Sequence, residues 1–350
     1  MDWLHFAVFT VIIFIFVISG VLFFIWYERR GLGRFQIRPG PNRAGPFGLL
    51  QPVADAVKVL LKEDIVPALA DKPVHFLAPL IAFVPALAVF AVIPFGDGAL
   101  LANLNIGILY IMSVSSIVVI GIFMAGWSSS NKYSLLGAMR TIAQEVSYEI
   151  PLVLSILGAV MLAGSLSLND IVKAQNVPFI LLQPLGFLIY MTAAMAEINR
   201  TPFDLLEADS EIIAGFQTEY SGMKFGLFYL TEYAETLSVS AIASTLFLGG
   251  WAGPLLPGFV WLLIKIVAVF TFIMWVRATF PRLRIDQVMA FGWKFLLPLA
   301  MLNLVLTAIL VLTGLNDKVW LAVPLNFALA FILIIGASRQ FRTGGGHVIV

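Results

Sequence analysis

Long apolar runs limit the fold more than any other feature. The hydrocarbon core of a bilayer takes about 20 helical residues to cross. Runs of that kind recur at roughly 3–27, 75–95, 104–125, 141–163, 179–196, 228–250, 257–277, 293–313 and 319–338. Every backbone N–H and C=O inside hydrocarbon must be satisfied within the protein, so such runs form helices. Pro94-Phe95-Gly96, Gly253-Pro254 and Pro257-Gly258 separate some of them, as Gly and Pro commonly do at chain breaks. The expectation is an all-α polytopic membrane protein, a single integral domain over 1–350 with about nine transmembrane helices. Charged residues make up 12% of the chain, about half the share in soluble domains. The first run is too long for a signal-peptide core and lacks a small-residue cleavage site, which predicts a retained helix.

Basic residues give the sidedness, because cytoplasmic connections collect Lys and Arg. Connections 28–74, 126–140, 197–227 and 278–292 and the tail 339–350 fall on one side of the membrane. Together with the abutting span ends Arg277 and Lys294, they take 18 of the 21 Lys and Arg. The other side has Lys173 and Lys318, and Lys265 lies within a span. The N-terminus is therefore expected outside, and the C-terminus in the bacterial cytoplasm or the mitochondrial matrix.

A net charge of +1 gives no field that recruits nucleic acid. There is no cysteine, and the three histidines are His5, His75 and His347. Thiolates hold iron–sulfur clusters and His usually holds haem, so no metal or flavin centre is expected on this chain. No nucleophile–base pair, phosphate loop or metal-ligand cluster stands out, and the chain alone is not expected to be a catalyst.

Two cytoplasmic connections are unusual. The first, ERRGLGRFQIRPGPNRAGPFG (28–48), has five arginines, three prolines and five glycines. Gly and Pro fix a compact irregular path, and the arginines can meet acids of a partner or lipid phosphates. A plain positive-inside anchor accounts for the arginines but not for the PGPNRAGP geometry. It is followed by LLQPVADAVKVLLKE (49–63), with Leu50, Val53, Ala54, Val57, Leu60 and Leu61 at helical spacing and Asp55, Lys58 and Lys62 on the other face. Too short to span, this stretch predicts an amphipathic helix in the interface plane, the alternative being a short helix packed on protein. The second, EINRTPFDLLEADSEIIAGFQTEY (197–220), carries Glu197, Asp204, Glu207, Asp209, Glu211 and Glu219 against one base, Arg200.

Acids also open two spans. AQEVSYEIP (143–151) places Glu145 and Glu149 on one helix face beside Tyr148, and LTEYAE (230–235) carries Glu232 and Glu235. Intramembrane carboxylates are costly unless paired or hydrated. Single ones can be structural partners of a base such as Arg140 or Lys265. Four, together with six in one connection, favour a proton or charge relay. Lys265, deep in a span, is expected to neutralise one of these acids. WVRATFPRLRIDQ (275–287) offers Arg277, Arg282 and Arg284 as further counter-charges.

ERRGLGRFQIRPGPNRAGPFGLLQPVADAVK, RTIAQEVSYEIP, EINRTPFDLLEADSEIIAGFQTEYSGMKF and WVRATFPRLRIDQ closely resemble the H subunits of bacterial NADH:quinone oxidoreductase, the equivalents of subunit 1 of mitochondrial complex I. The resemblance covers essentially the whole chain; membrane subunits of energy-converting hydrogenases match less fully. Leu206 stands where many members have Pro, with no ionisable group lost. The resemblance implies a membrane anchor for a peripheral redox arm, with FMN and iron–sulfur clusters in partner subunits and ubiquinone or menaquinone as substrate. It implies a quinone opening formed by the end of the first helix, the amphipathic helix and the sixth helix around Phe225 and Phe228, and a chamber lined by Arg29, Asp55 and Arg277. It implies that Glu197, Asp204, Glu207, Asp209, Glu211 and Glu219 couple that chamber to the membrane, with Glu149, Glu232 and, more weakly, Glu145 continuing inward; Glu235 joins this relay from the reading of LTEYAE itself. Partners would be peripheral-arm quinone-site subunits, pumping membrane-arm subunits and lipid, in the bacterial inner membrane or the mitochondrial inner membrane.

Two other classes fit parts of the sequence. An ion-coupled secondary transporter would use buried acids, but such proteins often show repeated halves, which are not visible here. A purely structural anchor explains the arginines but not the intramembrane glutamates.

Overall fold

In the computed structural model the described residues are 3–205, 213–314 and 318–343. Among them every regular element is a helix, apart from one β-bridge between Gly96 and Ala99. Thirteen α-helices follow in order: α1 Trp3–Phe35, α2 Gln51–Leu61, α3 Lys72–Ala88, α4 Gly107–Ser128, α5 Lys132–Ala163, α6 Leu168–Ala174, α7 Phe179–Leu182, α8 Pro184–Glu197, α9 Gly222–Phe247, α10 Gly258–Thr279, α11 Ile285–Phe291, α12 Leu297–Leu312 and α13 Val319–Thr343. A π-helical turn, Gly292–Leu296, joins α11 to α12.

Seven helical stretches among the described residues are long and apolar enough to cross a membrane: Ala7–Phe35, Lys72–Val92, Gly107–Ser128, Lys132–Ala163, Gly258–Thr279, Ile285–Leu312 and Val319–Gly336. The chain is therefore an all-α, multi-pass membrane protein. The two other expected spans also hold helices, each with a departure. α9 is long enough, at 26 residues, but carries Lys224, Glu232 and Glu235. The stretch expected at 179–196 is broken at Gln183, leaving the 4-residue α7 and the 14-residue α8.

Two expected boundaries move. α1 does not stop before Glu28 but runs to Phe35, so Glu28, Arg29, Arg30 and Arg34 sit on a helix. Arg is a good helix former, and the glycines here serve close contacts rather than a break. A Cβ on Gly31 would lie 2.3 Å from Met274 Sδ, and one on Gly33 would lie 3.0 Å from the Arg38 carbonyl oxygen. α5 begins at Lys132, capped by the Asn131 side chain accepting from the Tyr133 N–H. Glu145 and Glu149 consequently lie near the middle of a 32-residue helix rather than at its opening. The short helix foreseen at 49–63 forms as α2, whose Val53, Val57, Leu60 and Leu61 are exposed.

One core runs through most of the helices. Phe24 of α1 stacks on Phe270 of α10 at 3.9 Å, and Tyr190 of α8 meets Phe247 of α9 at 5.5 Å. A second cluster gathers Ala78 and Ala82 of α3, Ala125 of α4, Phe216, Tyr220 and Phe228. Small residues let α3 and α4 approach closely, as is usual between helices in lipid. A Cβ on Gly121 would lie 2.8 Å from the Ala82 backbone nitrogen and 3.0 Å from its Cα. Gly121→Val should therefore destabilise the helix pair by about 1–3 kcal/mol, the usual cost of overpacking. Thermal loss of the assembled, detergent-solubilised protein measures it; an unchanged midpoint contradicts the close approach.

Candidate functional site

The end of α1 is the centre of the first polar group. Val17, Val21 and Phe24 are buried, and Glu28 continues their face with 3% of its surface exposed. Its carboxylate receives Arg200 Nη1 at 3.1 Å and is also paired with Arg277 of α10. Arg200, itself 4% exposed, lies 3.2 Å from Glu232 Oε1 through Nε, and its guanidinium sits 4.5 Å over the Tyr233 ring. One buried arginine thus bridges an acid of α1 and an acid of α9. Burial of such a group is tolerable only because carboxylates and an aromatic face replace water around it.

Polar residues extend from this node towards α2. The Tyr233 hydroxyl accepts from the Tyr229 hydroxyl at 3.4 Å, and Tyr229 lies close enough to Arg29 to interact with it electrostatically. Arg29 is paired with Asp55 of α2, which also accepts from Gln51 Nε2 at 3.0 Å. α9 lies directly against α2, since a Cβ on Gly226 would be 2.8 Å from Val59 Cγ1, and Lys224 pairs with Asp64 at 2.8 Å. The end of α1, α2 and the start of α9 therefore form one surface. Phe225 is exposed on it, while Phe228 turns inward, its ring 5.1 Å from Phe216 and 5.0 Å from Tyr220. Burial pushes the Tyr220 hydroxyl up to about 12, so it stays neutral beside Ser128 and the stacked His75 ring.

The second polar group is a carboxylate cavity. Glu145 and Glu149 of α5, Glu197 at the end of α8 and Glu235 of α9 line it together with Ser115 and Ser116 of α4. Ser116 donates to Glu149, and Asn199 Nδ2 donates to Glu145 Oε1 at 3.0 Å. An adjoining cavity is lined by Glu145, Asn199, Glu232, Glu235 and Phe228, and another by Glu197, Glu235 and Tyr190. Each is roomy enough for a water molecule. Glu232 thus faces two ways, towards Arg200 and towards the carboxylates. Gln144 holds the chain in place here, with Nε2 reaching the Ala196 and Phe203 carbonyls at 2.7 and 2.9 Å and Asn199 Oδ1 at 3.1 Å.

The other acids are placed differently. Asp204 pairs with Arg282 at 3.5 Å, so the basic stretch after α10 does meet the acidic connection. Glu219 accepts from Asn131 Nδ2 at 2.6 Å, next to the start of α5. Glu207, Asp209 and Glu211 lie outside the described residues, as does Leu206. Lys265 does not neutralise a described acid. Its ammonium donates to the Gly250 and Ala252 carbonyls at 2.8 and 2.7 Å. It lies two turns into α10 and reaches back to the preceding loop, away from the glutamates.

Glu28, Arg200 and Tyr233 form the centre of this polar group, yet the sequence does not pick them out as candidate site residues. Glu28 looks like the first residue of a charged loop, and Arg200 like the lone base of an acidic one. The available signal is the spacing Val17, Val21, Phe24, Glu28, which continues one helix face.

Residues 8–308 match the family model described as NADH dehydrogenase. Over 348 residues, covering 99% of both chains, the protein is 70% identical to the H subunit of NADH-quinone oxidoreductase from Dehalococcoides mccartyi strain CBDB1. Over 318 residues, covering 88% of this chain and 96% of the relative, it is 50% identical to the protein of the same name in Bacillus thuringiensis strain Al Hakam. With its helical, multi-pass architecture and near full-length identity, the chain belongs to the H-subunit family of NADH-quinone oxidoreductase, as a membrane subunit of that enzyme.

Proposed function

We propose that this subunit forms the opening and part of the chamber through which quinone reaches the redox arm, and that its carboxylates transmit quinone reduction to proton translocation. The observation that supports this most is the buried node in which Arg200 joins Glu28 to Glu232, with the Arg29–Asp55 pair on one side of it and the cavity of Glu145, Glu149, Glu197 and Glu235 on the other. The exposed apolar face of α2 with Phe225 beside it suits a long isoprenoid tail arriving from lipid. Arg29, Asp55 and Arg277 then line the polar path of the headgroup.

Reduction of a quinone to the quinol takes up two electrons and two protons. Charge that develops on the quinone near Arg200 changes the balance between its two carboxylate partners. Unit charges 4 Å apart interact by about 4 kcal/mol at an effective dielectric of ~20, enough to redistribute a proton among neighbouring acids. Glu232 passes that change to Glu235 and Glu145, and the cavity carries it onward. Glu207, Asp209 and Glu211 belong to the same coupling segment in this reading. Electrons arrive from FMN and iron–sulfur clusters held by peripheral subunits, and the pumping subunits of the membrane arm receive the signal. The basic connections face the cytoplasm of a bacterium, with the N-terminus outside.

Asp55→Ala tests the opening. The Arg29–Asp55 pair is more than a third exposed on both sides, so its loss should cost the fold less than about 1 kcal/mol. The apparent KM for quinone should rise several-fold in membranes, with NADH oxidation by ferricyanide unchanged. An unaltered KM at full assembly removes Asp55 from the quinone path.

A further inference from the structure

The break in the fifth membrane segment builds a polar site that is separate from the carboxylate cavity. Gln183 has φ −136° and ψ 60°, which interrupts the helix between α7 and α8. A broken helix in lipid leaves carbonyls that other side chains must satisfy. Asn326 of α13 does so, donating Nδ2 to the Leu182 carbonyl at 2.6 Å. Gln183 donates Nε2 to Thr307 Oγ1 at 2.6 Å, while the Thr307 hydroxyl donates to the Asn303 carbonyl at 2.8 Å. The single hydroxyl proton of Thr307 is therefore used, which fixes the amide orientation of Gln183 and leaves its Oε1 as an open acceptor.

Two polar atoms here have no partner among the described residues, Gln183 Oε1 and Asn303 Nδ2. Their residues are only 3% and 6% exposed. Both line a cavity between α8, α12 and α13, with Thr307, Asn326, Leu306 and Ala330. Both lie beside Gly186, since a Cβ there would be 3.1 Å from Gln183 Oε1 and 3.3 Å from Asn303 Nδ2. Whatever occupies the cavity meets one acceptor and one donor. An apolar occupant leaves both buried groups unsatisfied, and a bare cation meets an amide N–H. A molecule that both donates and accepts satisfies them, and the cavity has room for one water.

We propose that this site binds a single structural water, bridging Gln183 Oε1 and Asn303 Nδ2 and fastening the α7–α8 break to α12. Gln183 and Glu197 are separated by the 14-residue length of α8, about 21 Å at the α-helical rise, so the water belongs to the opposite end of α8 from the carboxylates. Close contact with α5 seals the site: a Cβ on Gly158 would come within 2.4 Å of Gln183 Nε2.

The test is a cryo-EM map of the intact enzyme, at a resolution where buried waters are seen, for the wild type and for Gly186→Ala. The alanine methyl meets no backbone but presses on both polar atoms, at 3.1 and 3.3 Å, and so displaces them from a shared water. The wild type should show one peak about 2.7–3.2 Å from both atoms, and the variant should lack it. Gly186→Ala should also lose quinone reductase activity several-fold faster on heating, with the initial rate at 25 °C unchanged. A wild-type map with other buried waters but no peak here overturns the proposal, as does a peak that survives in Gly186→Ala.

Discussion

Replacing Arg200 by Met should reduce the amount of assembled enzyme in the membrane more than tenfold. Arg200 is 4% exposed and is held by Glu28, Glu232 and the face of Tyr233. Removing one partner of a buried ion pair costs about 3–5 kcal/mol, because the remaining charge has lost both water and its counter-ion. Two acids lose an arginine at once here. Glu28 keeps Arg277, but Glu232 loses the contact that ties α9 to the segment after α8. Arg200→Lys should fall between the two. A lysine keeps the charge as a compact ammonium and cannot fork to two carboxylates while stacking on a ring. Native electrophoresis of solubilised membranes gives the assembled fraction, and ferricyanide reduction gives the redox arm that remains attached. Wild-type abundance of Arg200→Met would mean that the node is hydrated in the assembled enzyme.

The membrane architecture is legible in the sequence because the bilayer constraint acts on single segments. A run such as 104–125 or 257–277 must be a helix whatever surrounds it. The amphipathic helix at 51–61 is legible for the same reason, as a local pattern of apolar and charged residues. Features that depend on neighbours are not. Gly31 and Gly33 resemble helix breakers, yet they allow Met274 and the Arg38–Gly40 backbone to come close while the helix continues. The break at Gln183 is supported by Asn326 and Thr307, more than a hundred residues further along the chain. No periodicity within 179–196 records that.

The same distinction holds for the site. Acids can be found as acids, so Glu145, Glu149, Glu197 and Glu235 are named by the sequence and share one cavity in the fold. Which acid meets which base is a tertiary property. Lys265 is the one base deep in a span by sequence, but it satisfies loop carbonyls. The base at the centre is Arg200, from within the acidic segment itself. Glu28 is masked by its neighbours Arg29 and Arg30, although its helix face is buried.

Glu235→Gln should leave the enzyme assembled, with ferricyanide reduction intact, and should lower quinone-coupled proton translocation at least tenfold. Glutamine keeps the shape and can still hydrogen bond, but it cannot take up or release a proton. Glu235 lines all three of the adjoining cavities, which between them also hold Glu232, Glu145, Glu149 and Glu197, so it is the one acid common to every cavity of the group. A tenfold loss corresponds to about 1.4 kcal/mol of barrier, a modest demand on a group in the transfer path. Two comparisons separate this from general damage. Glu232→Gln should lose both coupling and some assembly, because the Arg200 ion pair is weakened as well. Glu219→Gln should stay close to wild type, since glutamine can still accept from Asn131 Nδ2. Proton uptake measured in sealed vesicles alongside NADH oxidation resolves the three variants. If Glu235→Gln pumps at the wild-type ratio, the carboxylate cavity is a structural feature of the bundle, and coupling runs through the acidic segment alone.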